Sequence, residues 1–259
     1  MWQLHHGDCV EVMRTLPAES IDLTVTSPPY DNLRTYKGFS FDFEGIAKEL
    51  YRITKQGGVV VWIVGDATIK GSETLSSFRQ AIYFRDACGF DVETMIWDKQ
   101  NCSSVGSMDR YANVFEYMFV LSKGKPKTAN IIKDKPNKRA GELQHGSIRQ
   151  KDGSVRKTTG YGKREIAEYG RRHNVWQIIP VKSPKERLHP APFPEQLAHD
   201  HITSWSNESD TVLDPFAGSG TTLKMAEKLG RHSIGIEIAE EYCEIIRTRM
   251  TGVQYDTQA

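Results

Sequence analysis

The 259-residue chain predicts an α/β protein in which a doubly wound sheet carries helices on both faces. Three observations support this prediction. Apolar runs of strand length alternate with longer stretches whose apolar residues recur at helical spacing. One strand-like run ends in a double-proline turn at 27–30, and another ends in a glycine-rich turn at 218–220. A glycine-rich turn between a strand and a helix is typical of a ligand site at the carboxyl edge of a parallel sheet.

The individual elements follow from this periodicity and from the residues that interrupt it. The expected strands are 21–25, 59–64, 92–97, 115–121, 211–213 and 232–238. The expected helices are 43–53, 75–87 and 221–229. Gly57-Gly58 is expected to stop the first helix, and Gly89 the second. Strands 92–97 and 115–121 could pair as a hairpin.

The turn Ser27-Pro28-Pro29-Tyr30 predicts a site for a planar group that carries an amino substituent. Two consecutive prolines fix φ twice and remove two backbone donors, so the preceding strand must end in a stiff, extended turn. Carbonyl acceptors, the Ser27 hydroxyl and the Tyr30 ring would then lie side by side, which suits the exocyclic amino group of a base. The alternative is an ordinary Pro-Pro loop that closes a strand.

The second turn reads Asp214-Pro215-Phe216-Ala217-Gly218-Ser219-Gly220-Thr221-Thr222. Glycines at 218 and 220 permit positive φ and let a ligand approach the backbone closely. Glu237 follows at the end of the next strand, where an acidic residue usually holds a ribose diol. No G-K-[ST] sequence is present, which argues against a phosphate-binding P-loop. The segment therefore predicts a nucleotide-type site.

These motifs resemble those of the amino-group DNA methyltransferases that use S-adenosylmethionine, in the circularly permuted order called the β class. In that family an S/D/N-P-P-Y/F motif comes first, a target-recognition region follows, and a D-P-F-x-G-S-G-T motif comes last. The order is the same here. His6-Gly7-Asp8 and the segment His189–Leu197 resemble two further elements of the family. The resemblance implies a Rossmann-like methyltransferase fold with a seven-stranded sheet and an inserted basic target-recognition region.

The resemblance also implies roles for single residues. Ser27, Pro28, Pro29 and Tyr30 would form the catalytic site, where Ser27 Oγ and the Pro28 carbonyl accept hydrogen bonds from the amino group and Tyr30 stacks on a flipped base. Asp8 would meet the adenine amino group of the cofactor. The full set of implied cofactor-binding residues is Asp8, Asp214, Pro215, Phe216, Gly218, Ser219, Gly220, Thr221, Thr222, Glu237, His189, Phe193 and Pro194.

The motifs divide the chain into a catalytic half (1–122), a basic region (123–188), a cofactor-binding half (189–250) and a tail (251–259). The basic region holds 18 of the 34 lysines and arginines but only 6 of the 33 aspartates and glutamates. A solvated, partly disordered insertion is one interpretation. Contact with DNA phosphates is the other, and the position of the region favours it.

Nine basic residues of this region are predicted to contact DNA. They are Lys138, Arg139, Arg149, Arg156, Lys157, Lys163, Arg164, Arg171 and Arg172. Tyr161, Tyr169 and Trp176 are interleaved with them and could wedge or stack against bases.

The motif chemistry also bears on which base is methylated. Ser27 favours the N4 group of cytosine, because in this family serine is commoner among such enzymes and aspartate among those acting on adenine N6; adenine remains the alternative. Carbon-5 methylation would need a cysteine after a proline, and none of the four cysteines has that setting. Asp66, after the 59–64 strand, is expected to hold a turn rather than a ligand.

Cofactor, partner and location are predicted on the same grounds. S-adenosylmethionine is the expected cofactor, double-stranded DNA the expected partner, and a homodimer is possible. The cysteines show no metal or disulfide spacing, and no apolar run could span a bilayer, so we expect an intracellular enzyme. The resemblance implies a bacterial or phage source, and with it a location in the bacterial cytoplasm. Two other classes stay open, an RNA or protein methyltransferase and a DNA-binding protein that holds the cofactor without catalysis.

Overall fold

The computed structural model describes residues 1–29, 41–100, 109–180 and 194–253. The predicted site residues Tyr30, His189 and Phe193 therefore lie outside the described residues. Two compact units make up the chain. The first, called the main unit, comprises residues 1–130 and 174 onward, and the second, called the basic unit, comprises residues 131–173. The predicted basic region at 123–188 is thus wider than the basic unit.

The helices and strands alternate along much of the main unit, as predicted. The strands are β1 (Trp2–His6), β2 (Ile21–Thr26), β3 (Thr54–Val64), β4 (Thr68–Ile69), β5 (Ser72–Glu73), β6 (Asp91–Asp98), β7 (Phe115–Ser122), β8 (Lys135–Pro136), β9 (Ser147–Arg149), β10 (Val155–Lys157), β11 (Tyr169–Gly170), β12 (Val175–Gln177), β13 (Thr211–Asp214) and β14 (His232–Glu237). The helices are α1 (Cys9–Thr15), α2 (Phe43–Ile53), α3 (Ser76–Tyr83), α4 (Glu195–Trp205), α5 (Thr221–Lys228) and α6 (Glu240–Met250).

One sheet organises the main unit, with strand order β1-β14-β13-β2-β3-β7-β6-β12. Among the described strands of this sheet, only β7 runs antiparallel to its neighbours, and its pairing with β6 confirms the expected hairpin. The described sheet has eight strands where the resemblance implied seven. The additional strand β12 pairs in parallel with β6 at the edge of the sheet.

Helices cover both faces of this sheet, which confirms the doubly wound α/β prediction. Successive residues of β3 point to opposite sides, as a strand requires. Val61 and Ile63 belong to a buried cluster with the apolar residues of α4 and α5. Val60 and Trp62 belong to a second buried cluster with those of α1 and α2. Each of these four side chains is at most 1% exposed, so β3 is a central strand.

The predicted boundary between α2 and β3 was wrong. The helix ends at Ile53, and β3 begins at Thr54, so the glycine pair 57–58 lies inside the strand. Thr54 ends the helix by donating from its hydroxyl to the Leu50 carbonyl at 2.6 Å. Gly57 takes a φ of 77°, and the register with β2 shifts at this point, so the glycine makes an irregularity in the strand. Gly89, with a φ of 91°, ends the α3 region as predicted.

The basic unit consists of short antiparallel pairs. β8 pairs with β11, and β9 pairs with β10. Most of its side chains are exposed. Across the described residues of both units, none of the helices is both long and apolar enough to cross a membrane.

Candidate active site

The carboxyl ends of four neighbouring strands carry predicted site residues from four separate parts of the sequence. In the order β1, β14, β13, β2, these ends lead to Asp8, Glu237, Asp214 and Ser27. All three strand pairings are parallel, so the four residues lie along one edge of the sheet. This is the edge at which open α/β sheets bind ligands.

The glycine-rich turn adopts the backbone conformation that its sequence predicts. Gly218 and Gly220 have φ values of 53° and 77°, in the region that favours glycine. A Cβ atom on Gly220 would lie 3.1 Å from Ile246 Cγ1, so the turn also needs glycine for space. The turn runs directly into α5 at Thr221. Buried within the turn and the start of α5 are Pro215, Ser219, Thr221 and Thr222.

Glu237 is bonded to the backbone of this turn. Its Oε2 accepts from the Gly218 amide at 2.8 Å, and its Oε1 accepts from the Ala239 amide at 2.9 Å. Burial raises the pKa of the Glu237 carboxyl above its ordinary value. A carboxylate can accept about four hydrogen bonds, so ribose hydroxyls could still donate to it. The structure thus adds a second role, anchoring the turn, to the ribose contact that the sequence predicts.

Asp214 joins the glycine-rich turn to the strand that carries Ser27. Its Oδ1 accepts from the Thr26 hydroxyl at 2.7 Å and from the Phe216 amide at 3.1 Å. Both Asp214 and Thr26 are at most 1% exposed, so this contact is shielded from water. Burial raises the pKa of the Asp214 carboxyl to about 6. The bond connects residues 188 positions apart in the sequence.

A second contact joins the same two segments. The Thr222 hydroxyl donates to the Val25 carbonyl at 3.1 Å. Since Val25 and Thr26 immediately precede the Ser27 turn, both ends of the glycine-rich turn are bonded to the strand β2. Sequence reasoning assigned no role to Thr26, although it directly precedes the Ser27 turn, because one threonine in a buried strand carries no distinguishing pattern.

Arg249 in α6 is another residue that sequence reasoning missed. Its Nη1 donates to the Ser219 carbonyl at 2.9 Å, and its Nη2 donates to Glu195 Oε1 at 2.7 Å. Lys224 Nζ lies 2.6 Å from the same Glu195 oxygen. Glu195 directly follows Pro194, the N-cap of α4. Arg249 therefore connects the glycine-rich turn to the start of α4, which lies within the family-like segment His189–Leu197.

The remaining described residues have mixed roles. Asp8 caps α1, because its Oδ1 accepts from the amides of Val10 and Glu11 at 2.9 and 3.1 Å. The half-buried Phe216 ring lies 6.0 Å from the ring of Phe41 and packs against the second core cluster. In the catalytic motif Pro28 is buried, whereas Ser27 and Pro29 are half-buried. Because β2 and β13 are parallel neighbours, the Ser27 turn and the glycine-rich turn, which follow their ends, lie at the same edge of the sheet.

The donor set fits S-adenosylmethionine, which carries a positive sulfonium and an ammonium group. Asp214 and Glu237 are buried carboxylates, and neither forms an ion pair with a residue that the structure describes. Burying an unpaired carboxylate is costly, and a cationic ligand would offset that cost. Within the described ranges no group of three or more His, Cys, Asp or Glu residues could hold a metal ion.

The pH dependence of stability should reveal the buried Asp214. The pKa of this carboxyl rises from 3.8 to about 6 on folding, so between these values the folded protein binds more protons than the unfolded one. The free energy of unfolding therefore rises as the pH falls through about 6. From about pH 7 to about pH 5 we expect wild type to gain about 1 kcal/mol relative to Asp214→Asn. Urea unfolding of both proteins without cofactor measures this, and parallel pH profiles would contradict it.

The basic unit contains all nine predicted DNA-contacting residues. It holds 12 lysines and arginines against 5 aspartates and glutamates. Eight of the nine are exposed; Arg172 is half-buried and donates to Asp134 at 2.8 Å. Arg139 also has an internal partner, Glu142, at 2.7 Å. Their contact with DNA stays a prediction.

The suggested role of Trp176 as a base wedge was wrong. It lies in β12 of the main unit, is 6% exposed and stacks on His201 with 4.5 Å between ring centroids. Pairing of β12 with β6 buries this ring, although its neighbours in sequence are basic. Tyr169 is exposed. Lys157 Nζ lies over the Tyr161 ring, 4.4 Å from the ring centroid.

Comparisons with known proteins agree with this geometry. A family model described as DNA methylase matches residues 21–248. The orphan methyltransferase M.BamHII of Bacillus amyloliquefaciens is 53% identical over 94% of this chain and 90% of its own length.

Two solved structures share the fold. The PvuII cytosine-N4-specific DNA methyltransferase superposes with a TM-score of 0.71 at 23% identity, covering 96% of this chain and 86% of that one. The Thermus thermophilus protein TTHA0409, solved with S-adenosyl-L-methionine, gives a TM-score of 0.63 at 26% identity, covering 96% and 94%. The family match spans both the Ser27 turn and the glycine-rich turn. The chain therefore belongs to the DNA methylase family, and it is an S-adenosylmethionine-dependent DNA amino-methyltransferase of the β class.

Proposed function

We propose that this enzyme methylates the N4 amino group of a cytosine that is flipped out of a specific duplex sequence. The observation that carries the proposal is the buried Thr26–Asp214 bond at 2.7 Å. It holds the amine-accepting turn at Ser27 directly beside the cofactor-binding turn. A neutral serine, rather than an aspartate, in the first motif position favours cytosine.

The residues of the site would act on the target base by position and hydrogen bonding. S-adenosylmethionine, when bound, supplies an electrophilic methyl group on a sulfonium. Ser27 Oγ and the Pro28 carbonyl would accept hydrogen bonds from the base amino group and orient its lone pair. So oriented, the amine nitrogen would accept the methyl group as the sulfonium sulfur gives it up, and one proton of the amino group would pass to solvent. Positioning and electrostatics can supply most of the acceleration without a covalent enzyme nucleophile.

Substrate binding is proposed to involve the charge of the basic unit. Its net charge of +7, from 12 basic and 5 acidic residues, suits displacement of counterions from a duplex. The nine basic residues would contact phosphates, and neighbouring side chains would select the sequence. The bacterial source of the relatives supports action in a bacterial cytoplasm. A homodimer is a further proposal.

Adenine N6 is the second candidate target. The matched family model is named for both N6 and N4 enzymes, and each base presents an exocyclic amino group. The catalytic turn could accept hydrogen bonds from either.

Base identity can be tested in a host that lacks its own DNA methylases. After expression, nucleoside mass spectrometry and modification-sensitive single-molecule sequencing would identify the base and its sequence context. We expect 4-methylcytosine in one short motif. Tyr30→Ala should abolish the signal, and Tyr30→Phe, which keeps the stacking ring, should retain most of it. A 6-methyladenine signal would overturn the cytosine assignment, and DNA without any modified base would overturn the proposed function.

A further inference from the structure

A small exposed hairpin lies near the edge of the sheet that carries Ser27 and Asp214. The β4–β5 hairpin consists of Thr68–Glu73, and all six residues are exposed. Its apolar residue Ile69 is 57% exposed. At the tip, Lys70 and Gly71 have φ values of 48° and 86°, the pair of left-handed residues that a two-residue hairpin turn requires.

The base of the hairpin is held by one carboxylate. Asp66 accepts hydrogen bonds from the Ser76 hydroxyl at 3.0 Å, the Ser77 amide at 2.9 Å and the Ser77 hydroxyl at 2.6 Å. The Thr74 amide closes the loop by donating to the Ala67 carbonyl at 2.9 Å. Asp66 therefore holds a turn, as predicted, and the hairpin has a fixed base and an exposed tip.

Sheet register places this base near the catalytic motif. β3 runs parallel to β2, and Trp62 pairs with Thr26. Ser27 follows Thr26, and Asp66 follows the end of β3 at Val64. Both segments leave the sheet at the same edge, so the hairpin emerges next to the turn that would receive the flipped base.

Two side chains of the hairpin suit contact with DNA. Ile69 is its one large apolar side chain, so its removal from water would be favourable, and Lys70 carries a positive charge. Proteins that distort DNA insert apolar side chains between base steps, and lysine offsets phosphate charge. We propose that the β4–β5 hairpin enters the duplex beside the target, where Ile69 fills the space left by the flipped base and Lys70 meets a phosphate. This inference rests on the proposed base flipping.

The energetic role of Ile69 can be isolated with a substrate whose target base is already unpaired. Single-turnover methylation would be measured on a duplex carrying the identified motif and on the same duplex with a mismatch at the target. Unstacking and unpairing a base cost a few kcal/mol, so Ile69→Ala should slow methylation of the paired duplex about tenfold or more. On the mismatched duplex, the methylation rate of Ile69→Ala should be within about twofold of the wild-type rate, because the target base is already unpaired.

Ile82→Ala provides the matched control, because Ile82 is 52% exposed and lies on α3. It should methylate both duplexes at the wild-type rate.

For Lys70→Ala we expect weaker DNA binding and a salt dependence of binding reduced by about one phosphate contact. Circular dichroism and the Tm of each variant would establish that its fold is retained.

Three results would overturn the hairpin assignment. These are a wild-type rate for Ile69→Ala on the paired duplex, an equal defect on both duplexes, or a change in oligomeric state caused by the substitution. A 2-aminopurine placed beside the target reports flipping separately, because it brightens when its neighbour leaves the stack. If wild type methylates DNA without such brightening, the proposed base flipping itself fails.

Discussion

Replacing Thr26 with valine is expected to slow methyl transfer by about 10- to 100-fold, because misplacing reacting groups by about 1 Å can cost that much. The variant keeps the shape of the side chain but removes the hydroxyl that donates to Asp214 at 2.7 Å. The Ser27 turn and the glycine-rich turn would then lose one of the bonds that hold them together. We expect the loss in kcat under saturating cofactor and DNA, with smaller changes in KM.

Thr24 offers a matched control for this experiment. It lies two residues earlier in the same strand, is equally buried, and its hydroxyl has no hydrogen-bond partner among the described residues. Thr24→Val makes the same chemical change and should leave kcat unaltered. Thr26→Ser restores the hydroxyl and should recover most of the rate. An equal loss of kcat in Thr24→Val and Thr26→Val would show that the effect comes from strand packing.

Replacing Glu237 with glutamine is expected to raise the KM for S-adenosylmethionine by about 10- to 100-fold, since hydrogen bonds to charged groups contribute about 1.5–3 kcal/mol. Both carboxylate oxygens accept backbone amides, and a side-chain NH₂ in place of one oxygen would face a donor. The variant also loses the negative charge at the proposed cofactor site. At saturating cofactor, kcat should change only a few-fold, because Glu237 is not part of the Ser27 turn.

The affinity can be measured by calorimetric titration of cofactor and compared with the steady-state KM. Glu244→Gln makes the same charge change on the exposed side of α6 and should bind cofactor as wild type does. An unchanged affinity for Glu237→Gln together with a large fall in kcat would contradict a role in cofactor binding.

The sequence predicted the parts of the site that have a local signal. Ser27, Asp214 and Glu237 each end or follow a strand-like run, and parallel strands bring such ends to one edge. The positive φ of Gly220 was predictable, because few residues other than glycine adopt that backbone conformation. The doubly wound fold followed from the same alternation of strand-like and helical periods.

The parts that were missed depend on contacts between distant segments. The partner of Thr26 is 188 residues away, and no period or spacing identifies it. Arg249 sits in the last turn of a helix, where basic residues are common for other reasons. Trp176 was misjudged because its basic neighbours suggested an exposed setting, whereas its burial depends on pairing with β6. Side-chain networks and non-local strand pairs are not encoded in a local pattern.

The strand order has a consequence for how the enzyme is made. Among the described strands of this sheet, β1 and β2 come first in the sequence but are not neighbours, and β13 and β14, which come last, lie between them. Contacts of such long sequence separation form late in folding. A nascent or truncated chain that lacks β13 and β14 has a sheet interrupted at the reaction centre. A chain shortened by these two strands is therefore expected to have no methyltransferase activity, because it also lacks Asp214 and Glu237.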